Sequence, residues 1–412
     1  MEYKYLVMVT SDNHNKYYEM IPERNGFTVK YGRVGASPQV RSYSEYEFDR
    51  KYNEKLRKGY IDQTDLRKDL IQVSKNESKS KYLPIQDEEI KELIDYLQKV
   101  ARQKIADNYT ISTEKVTQAM VDEAQGVLNE LANLYNKTFQ GELVGIKFNE
   151  LLLKLFNILP RKMGNVSDYL ASDDKQNTLT KIYTREQELL NVMKGQVMQQ
   201  TKQEEAEIQE EPTQTILEAN GLILEPINEE DKKIILKELG EIKDKFYKAW
   251  RVTNKATRER FESEISQANN KTTKLLWHGS KNENWFSIMS NGLLLNPNAA
   301  ITGKLYGIGI YFAPKAKKSF GYTSYNNSYW ARGNSDRAFM GLYKMHYGNP
   351  YIVGDFDSKY YKYNYEKLRG NGDYDCLHAK AGVSLGYSSL KNDEIIVYKE
   401  GQLDINYLVE LR

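Results

Sequence analysis

The chain has 412 residues, 40% hydrophobic and 28% charged, with a formal net charge of +2. That length exceeds one ordinary core and implies two to three domains. No apolar run approaches the ~20 residues of a membrane helix, and a single cysteine, Cys376, excludes internal disulfides and Cys-rich zinc sites.

The start, Met1-Glu2-Tyr3-Lys4-Tyr5, lacks the basic start and apolar core of a secretory leader. A cytoplasmic protein is expected, nucleoid-associated if the source is bacterial, nuclear if it is eukaryotic. His14, His278, His346 and His378 lie too far apart for ligand-like spacing, so no metal is expected.

Residues 3–43 read as short strands. Tyr5–Val9 and Phe27–Tyr31 are β-branched and aromatic, with Asn13, Asn15 and Asn25-Gly26 as turn residues between them. Arg24 to Arg41 holds four basic residues and no acid, a segment suited to phosphate, although a solvated face is the commoner meaning of such a run. Ser44 and Glu47 predict a capping box opening a helix, and Gly59 predicts its end.

Residues 64–80 are polar and read as a linker. From Asp87 the period becomes helical. Ile90, Leu93, Ile94, Leu97 and Ala101 recur on one face, as do Val116, Met120, Ala124, Leu128, Leu131 and Tyr135. Leu151 to Ile158 ends at Pro160. Leu179 to Val197 supplies a further helix, and a Gln/Glu-rich tract over 198–211 reads as a helix end entering an exposed linker. Beyond Leu217 the chain becomes β- and Gly-rich, with apolar strands expected at 273–277, 308–313, 339–346, 394–398 and 407–411. An α+β domain on antiparallel strands follows.

Three motifs carry chemistry. In Trp277-His278-Gly279-Ser280, glycine allows close backbone approach. A peptide N–H and C=O there can match a primary carboxamide, while His278 and Ser280 suit ribose hydroxyls. By itself His-Gly-Ser is more often a core histidine at a strand end. Tyr311 stands in the second motif, Gly309-Ile310-Tyr311-Phe312-Ala313, followed by Ser319 and Tyr322. Tyrosine stacks well on a flat ring such as nicotinamide, although in a chain with 32 tyrosines any single one is usually packing. Glu394 opens Ile395-Ile396-Val397. A part-buried carboxylate needs a task or a partner. Near a ribose it can accept a hydroxyl hydrogen bond, stabilise charge at the anomeric carbon and draw a proton from a nucleophile.

On these residues the chain resembles the DNA-dependent poly(ADP-ribose) polymerases. The resemblance implies a multidomain α+β protein: a small β-rich WGR-like DNA-binding module over 1–81, an all-α autoinhibitory bundle over 82–200, a linker over 201–216, and an α+β ADP-ribosyltransferase domain with antiparallel sheets over 217–412. The family's His-Tyr-Glu triad falls on His278, Tyr311 and Glu394. By the same resemblance Gly279 and Ser319 hold the carboxamide, Tyr322 stacks on nicotinamide, and Ser280 and Asn284 lie along the adenosine side. Tyr31-Gly32-Arg33 stands where the family carries Trp-Gly-Arg, so Lys30, Tyr31, Arg33 and Arg41 are the expected DNA contacts.

The resemblance implies an enzyme that consumes NAD+ as substrate, without metal, and is activated by DNA with strand breaks. It transfers ADP-ribose to acceptor proteins including itself and elongates the polymer as nicotinamide leaves. The alternative is a single transfer to protein or to nucleic-acid ends. A monomer without membrane association is expected.

Overall fold

A computed structural model describes residues 1–67, 82–109, 116–138, 141–206, 213–295, 305–384 and 389–412. Most of the expected 64–80 linker, and the end of the Gln/Glu-rich tract, lie outside them. The chain forms two compact units. One holds Met1–Lys79 and Arg102–Gln200, the other Ser80–Ala101 and Thr201–Arg412.

In the first unit, strands β1 (Lys4–Val9), β2 (Asn15–Glu23), β3 (Gly26–Arg33), β4 (Gln39–Tyr43) and β5 (Ile61–Asp62) form one sheet in the order β4-β3-β2-β1-β5. β2 falls partly on residues that read as turn from the sequence. Tyr18 and Met20, two apart, reach a core with Leu6, Phe27, Val29 and Phe48, and Asn15 at the head of the strand is buried as well. The capping box does not form. Ser44 precedes a short 3₁₀ turn, Glu45–Glu47, and makes no side-chain cap, so the α-helix starts at Phe48 and runs to Arg57. Gly59 does end it, at φ +86°, with its N–H on the Leu56 carbonyl.

The helices Gln118–Thr138, Gly145–Ile158 and Gln176–Ala206 follow the apolar periodicity. The last extends beyond Val197 into the Gln/Glu-rich tract. The small sheet is stitched to this bundle by buried asparagines. Val9 N–H donates to Asn157 Oδ1 at 2.9 Å, and Asn15 Nδ2 donates to the Arg161 carbonyl at 2.9 Å. Arg161 itself is buried and ion-paired to Glu186, with its guanidinium 5.4 Å from the Tyr109 ring centre and 5.3 Å from that of Tyr169.

The second unit contains the start of a helix, Glu88–Asn108, whose first turn is capped by the Asp87 carboxylate. Its Ile90, Leu93, Ile94 and Leu97 enter the same core cluster as Trp250, Trp285, Phe339 and Leu408. A five-stranded sheet runs β6 (Leu222–Pro226), β7 (Phe246–Asn254), β14 (Leu403–Leu411), β10 (Ala338–His346), β8 (Thr273–Gly279). A four-stranded sheet runs β11 (Pro350–Val353), β12 (Cys376–Ala379), β13 (Glu394–Val397), β9 (Ile310–Phe312). Every pair is antiparallel except β11–β12, which is parallel because a long excursion through residues 354–375 separates them.

Truncating one partner of a buried pair leaves an uncompensated charge. Glu186→Ala is therefore expected to lower unfolding free energy by roughly 3–5 kcal/mol, measured by urea denaturation of the full chain.

Candidate active site

The two sheets of the second unit meet at one point. Trp277 and Ala313 exchange backbone hydrogen bonds of 3.0 and 3.1 Å, one from each end of the pair. This bridge sets the first motif, at the end of β8, beside the second, on β9. The His278 ring then lies among Trp285, Phe312 and Tyr343, with Nδ1 3.1 Å from the Tyr311 carbonyl. A carbonyl only accepts, so Nδ1 carries the proton, and in the neutral ring Nε2 is the acceptor nitrogen.

The third motif enters through strand pairing. β13 lies antiparallel to β9 with Ile396 opposite Tyr311 and Ile395 opposite Phe312, which sets Glu394 at the edge of the same cleft. The Tyr311 hydroxyl donates to the Gly307 carbonyl at 3.2 Å and accepts from the Tyr306 N–H at 2.9 Å. Burial, together with Tyr398 and the Glu394 charge, holds this phenol well above its ordinary pKa. It therefore stays neutral and keeps its donor proton. Glu394 also acts, after burial, to raise the Tyr306 and Tyr322 phenols.

Gly279 is where a ligand's cradle is most tightly drawn. A Cβ built there lies 1.9 Å from the Ser319 carbonyl oxygen, a backbone atom that cannot yield. Ser319 is buried, and its hydroxyl donates to the Trp277 carbonyl at 2.9 Å. That proton is committed to the protein in this structure, while the oxygen can still accept. Asn284 Nδ2 donates to Ser280 Oγ at 3.0 Å, which joins the two residues expected along the adenosine side. Tyr322 keeps one ring face against Trp330, at 6.0 Å and 18°.

Three residues here escaped the sequence reading. Lys318 forms an ion pair with Glu394, with side chains 12% and 13% exposed, so the carboxylate has a cationic partner in a largely desolvated place. No motif spacing links residues so far apart in the chain; only its position before Ser319 was available as a signal. His378 bridges the Tyr347 hydroxyl and Asp393, each at 2.8 Å. Burial acts to raise the Asp393 carboxyl, but the Ala381 N–H and His378 outweigh it and hold it below the usual carboxylate range. Tyr347 completes this chain beside Glu394.

The expected DNA residues divide. Side chains alternate along a strand, so Lys30 lies on the opposite face of β3 from Tyr31 and Arg33. Arg41, paired with Val29 on β4, places its guanidinium 5.9 Å from the Tyr31 ring centre. Arg33 is partly exposed and is engaged by the chain itself. Its guanidinium donates to the Met163 and Gly164 carbonyls at 3.2 and 2.8 Å and to Asn13.

This arrangement, two sheets meeting at the Trp277–Ala313 bridge with a glycine, a histidine, a tyrosine and a part-buried glutamate around the junction, is that of an NAD+-dependent ADP-ribosyltransferase domain. The profile of the poly(ADP-ribose) polymerase catalytic domain matches residues 232–412, and that of the WGR domain residues 3–67. A putative poly [ADP-ribose] polymerase-like protein 100L of Invertebrate iridescent virus 6 is 33% identical over 43% of this chain and 91% of its own length. Poly [ADP-ribose] polymerase 2 of Homo sapiens is 30% identical over 34% of this chain and 26% of its own. The uncharacterized protein 101L of the same virus is 32% identical over 48% of this chain and 79% of its own. The chain belongs to the poly(ADP-ribose) polymerase family, and its catalytic domain transfers ADP-ribose from NAD+. Its WGR domain is a nucleic-acid-binding module. No helix among the described residues is long and apolar enough to cross a membrane.

Gly279→Ala tests the cradle. The added methyl must part β8 from the Ser319 turn, so NAD+ binding by calorimetry is expected to fall at least tenfold while far-UV circular dichroism is unchanged.

Proposed function

We propose that this chain is a poly-ADP-ribosyltransferase that elongates its product and is switched on by broken DNA. The observation that carries elongation is the Lys318–Glu394 pair at the mouth of the cleft. One member donates and the other accepts, which matches the two neighbouring hydroxyls of a ribose. Nicotinamide stacks on Tyr322, with its carboxamide against Gly279 and Ser319, and His278 Nε2 accepts from the adenosine ribose. The bond to nicotinamide breaks with oxocarbenium character, and Glu394 favours that state over the bound substrate. The nucleophile is first an acceptor side chain, then a hydroxyl of an ADP-ribose unit already attached. Glu394 takes the proton that the hydroxyl loses.

Removing a group that acts mainly in the transition state lowers turnover more than affinity. Glu394→Gln should keep NAD+ affinity within a few-fold and cut chain extension by about 100-fold or more, read as loss of a polymer smear on a denaturing gel. A single discrete shift from the unaltered chain would instead mark one transfer per site.

Activation by DNA has two supports. One is the WGR domain itself, with Tyr31 and Arg41 on one face of its sheet. The other is the participation of Glu88–Ala101 in the catalytic core, where Asn282 Nδ2 donates to the Tyr96 hydroxyl at 2.9 Å, next to the Ser280–Asn284 segment. Strand-break binding would bias the helical segment between a restraining and a releasing arrangement, a coupling between distinct sites. Nicked duplex DNA is expected to raise NAD+ consumption at least tenfold over the DNA-free chain. Equal rates in a nicotinamide-release assay would discard activation.

A further inference from the structure

The loop that follows Tyr322 carries aromatic surface that the NAD+ chemistry does not use. Trp330 is 59% exposed and Tyr329 73% exposed, and their rings meet edge to face at 4.6 Å. Trp330 in turn stacks on Tyr322. The other tryptophans, Trp250, Trp277 and Trp285, are at most 3% exposed. Open aromatic surface of this size costs hydration free energy and marks a recognition site more often than a fold requirement.

The loop is held in this presentation. Trp330 and Ala331 N–H groups both donate to the Gly321 carbonyl, at 2.9 and 3.0 Å, and Arg332 N–H donates to Ser328 at 2.9 Å. Ser328 is buried, donating to the Thr323 carbonyl at 2.8 Å and accepting from Gly333 N–H at 2.9 Å. Asn327 and Arg332, at φ +56° and +48°, bracket the two rings in the left-handed region that non-glycine residues adopt at a cost. A strained turn held by these hydrogen bonds thus keeps two rings in water.

Charge selects the occupant. From Pro314 to Ser335 the chain carries four basic residues, Lys315, Lys317, Lys318 and Arg332, and no acid. Lys317 is engaged by Glu241 and Lys318 by Glu394, while exposed Arg332 makes no ion pair among the described residues. Exposed aromatic rings and an exposed arginine two residues further along the same turn match a base and its phosphate, and the match is insensitive to sequence because every base has a stacking face.

We propose that Tyr329, Trp330 and Arg332 form a stacking shelf for single-stranded nucleic acid on the catalytic domain. The shelf belongs to the catalytic domain, and it places a strand beside the proposed nicotinamide platform. It relies on the proposed NAD+ site only for that position. Binding is read without turnover, so failure of either reading leaves the other standing.

The test uses the full chain and the oligonucleotide dT10. Trp330 supplies the water-exposed emission, so stacking reports on this loop even while the WGR domain also binds. Saturating dT10 is expected to quench that emission and shield it from acrylamide. Tyr329→Ala and Arg332→Ala should each weaken the quenching isotherm about tenfold, and the Arg332 variant should also lose part of the salt dependence. Trp330→Ala should abolish the quenchable component. Saturation by dT10, followed by anisotropy of the labelled strand, with Trp330 emission and acrylamide access unchanged would overturn the proposal. So would quenching by free ADP-ribose but not by dT10, which would give the shelf to the polymer instead.

Discussion

The reciprocal backbone hydrogen bonds between Trp277 and Ala313 are the constraint on which the candidate active site depends. They join a five-stranded and a four-stranded sheet at a single bridge, and two of the three motifs lie within a residue or two of it. Backbone bonds do not depend on side-chain rotamers, so the cleft's geometry is fixed before any ligand arrives. The close approach of Gly279 to Ser319 is a consequence, because the β8 end can meet that turn only without a side chain between them.

Electrostatics complete what the backbone begins. Glu394 sits where water is largely excluded, and a lone carboxylate there would be costly. Lys318 offsets that cost while keeping both groups ready for a polar ligand. The surrounding tyrosines remain neutral because burial and the Glu394 charge both disfavour the phenolate. Next to Glu394, Asp393 is held ionised by the Ala381 N–H and by His378, so the strand's leading residues are anchored from both sides.

In the other unit the same economy of buried polar groups governs assembly. Asn15 and Asn157 join the small sheet to the helices, and Arg33 reaches the carbonyls of Met163 and Gly164 just past Pro160. These carbonyls lie in the loop beyond the helix Gly145–Ile158, and a guanidinium with five donors is well suited to collect them. The arginine of the Tyr-Gly-Arg motif is thereby engaged in holding two segments of the chain together.

Part of the catalytic half was legible from residue order. The short apolar strands that carry or adjoin His278, Tyr311 and Glu394 followed from local pattern, while the grouping of these three residues came from the resemblance to a family. The helices of the bundle followed from apolar spacing. Strand β2 did not, because its polar residues and its leading Asn15 resemble a turn until neighbouring strands pair with their backbone. The capping box at Ser44 failed for a related reason: a 3₁₀ turn intervened, and local chemistry could not foresee it. Lys318 against Glu394, His378 between Tyr347 and Asp393, and Arg33 on Met163 and Gly164 are encounters of residues far apart in the chain. Local sequence could name the chemistry available, but which partner each charge would meet was decided by strand register and the meeting of the two sheets, since only folding brings such groups within hydrogen-bonding distance.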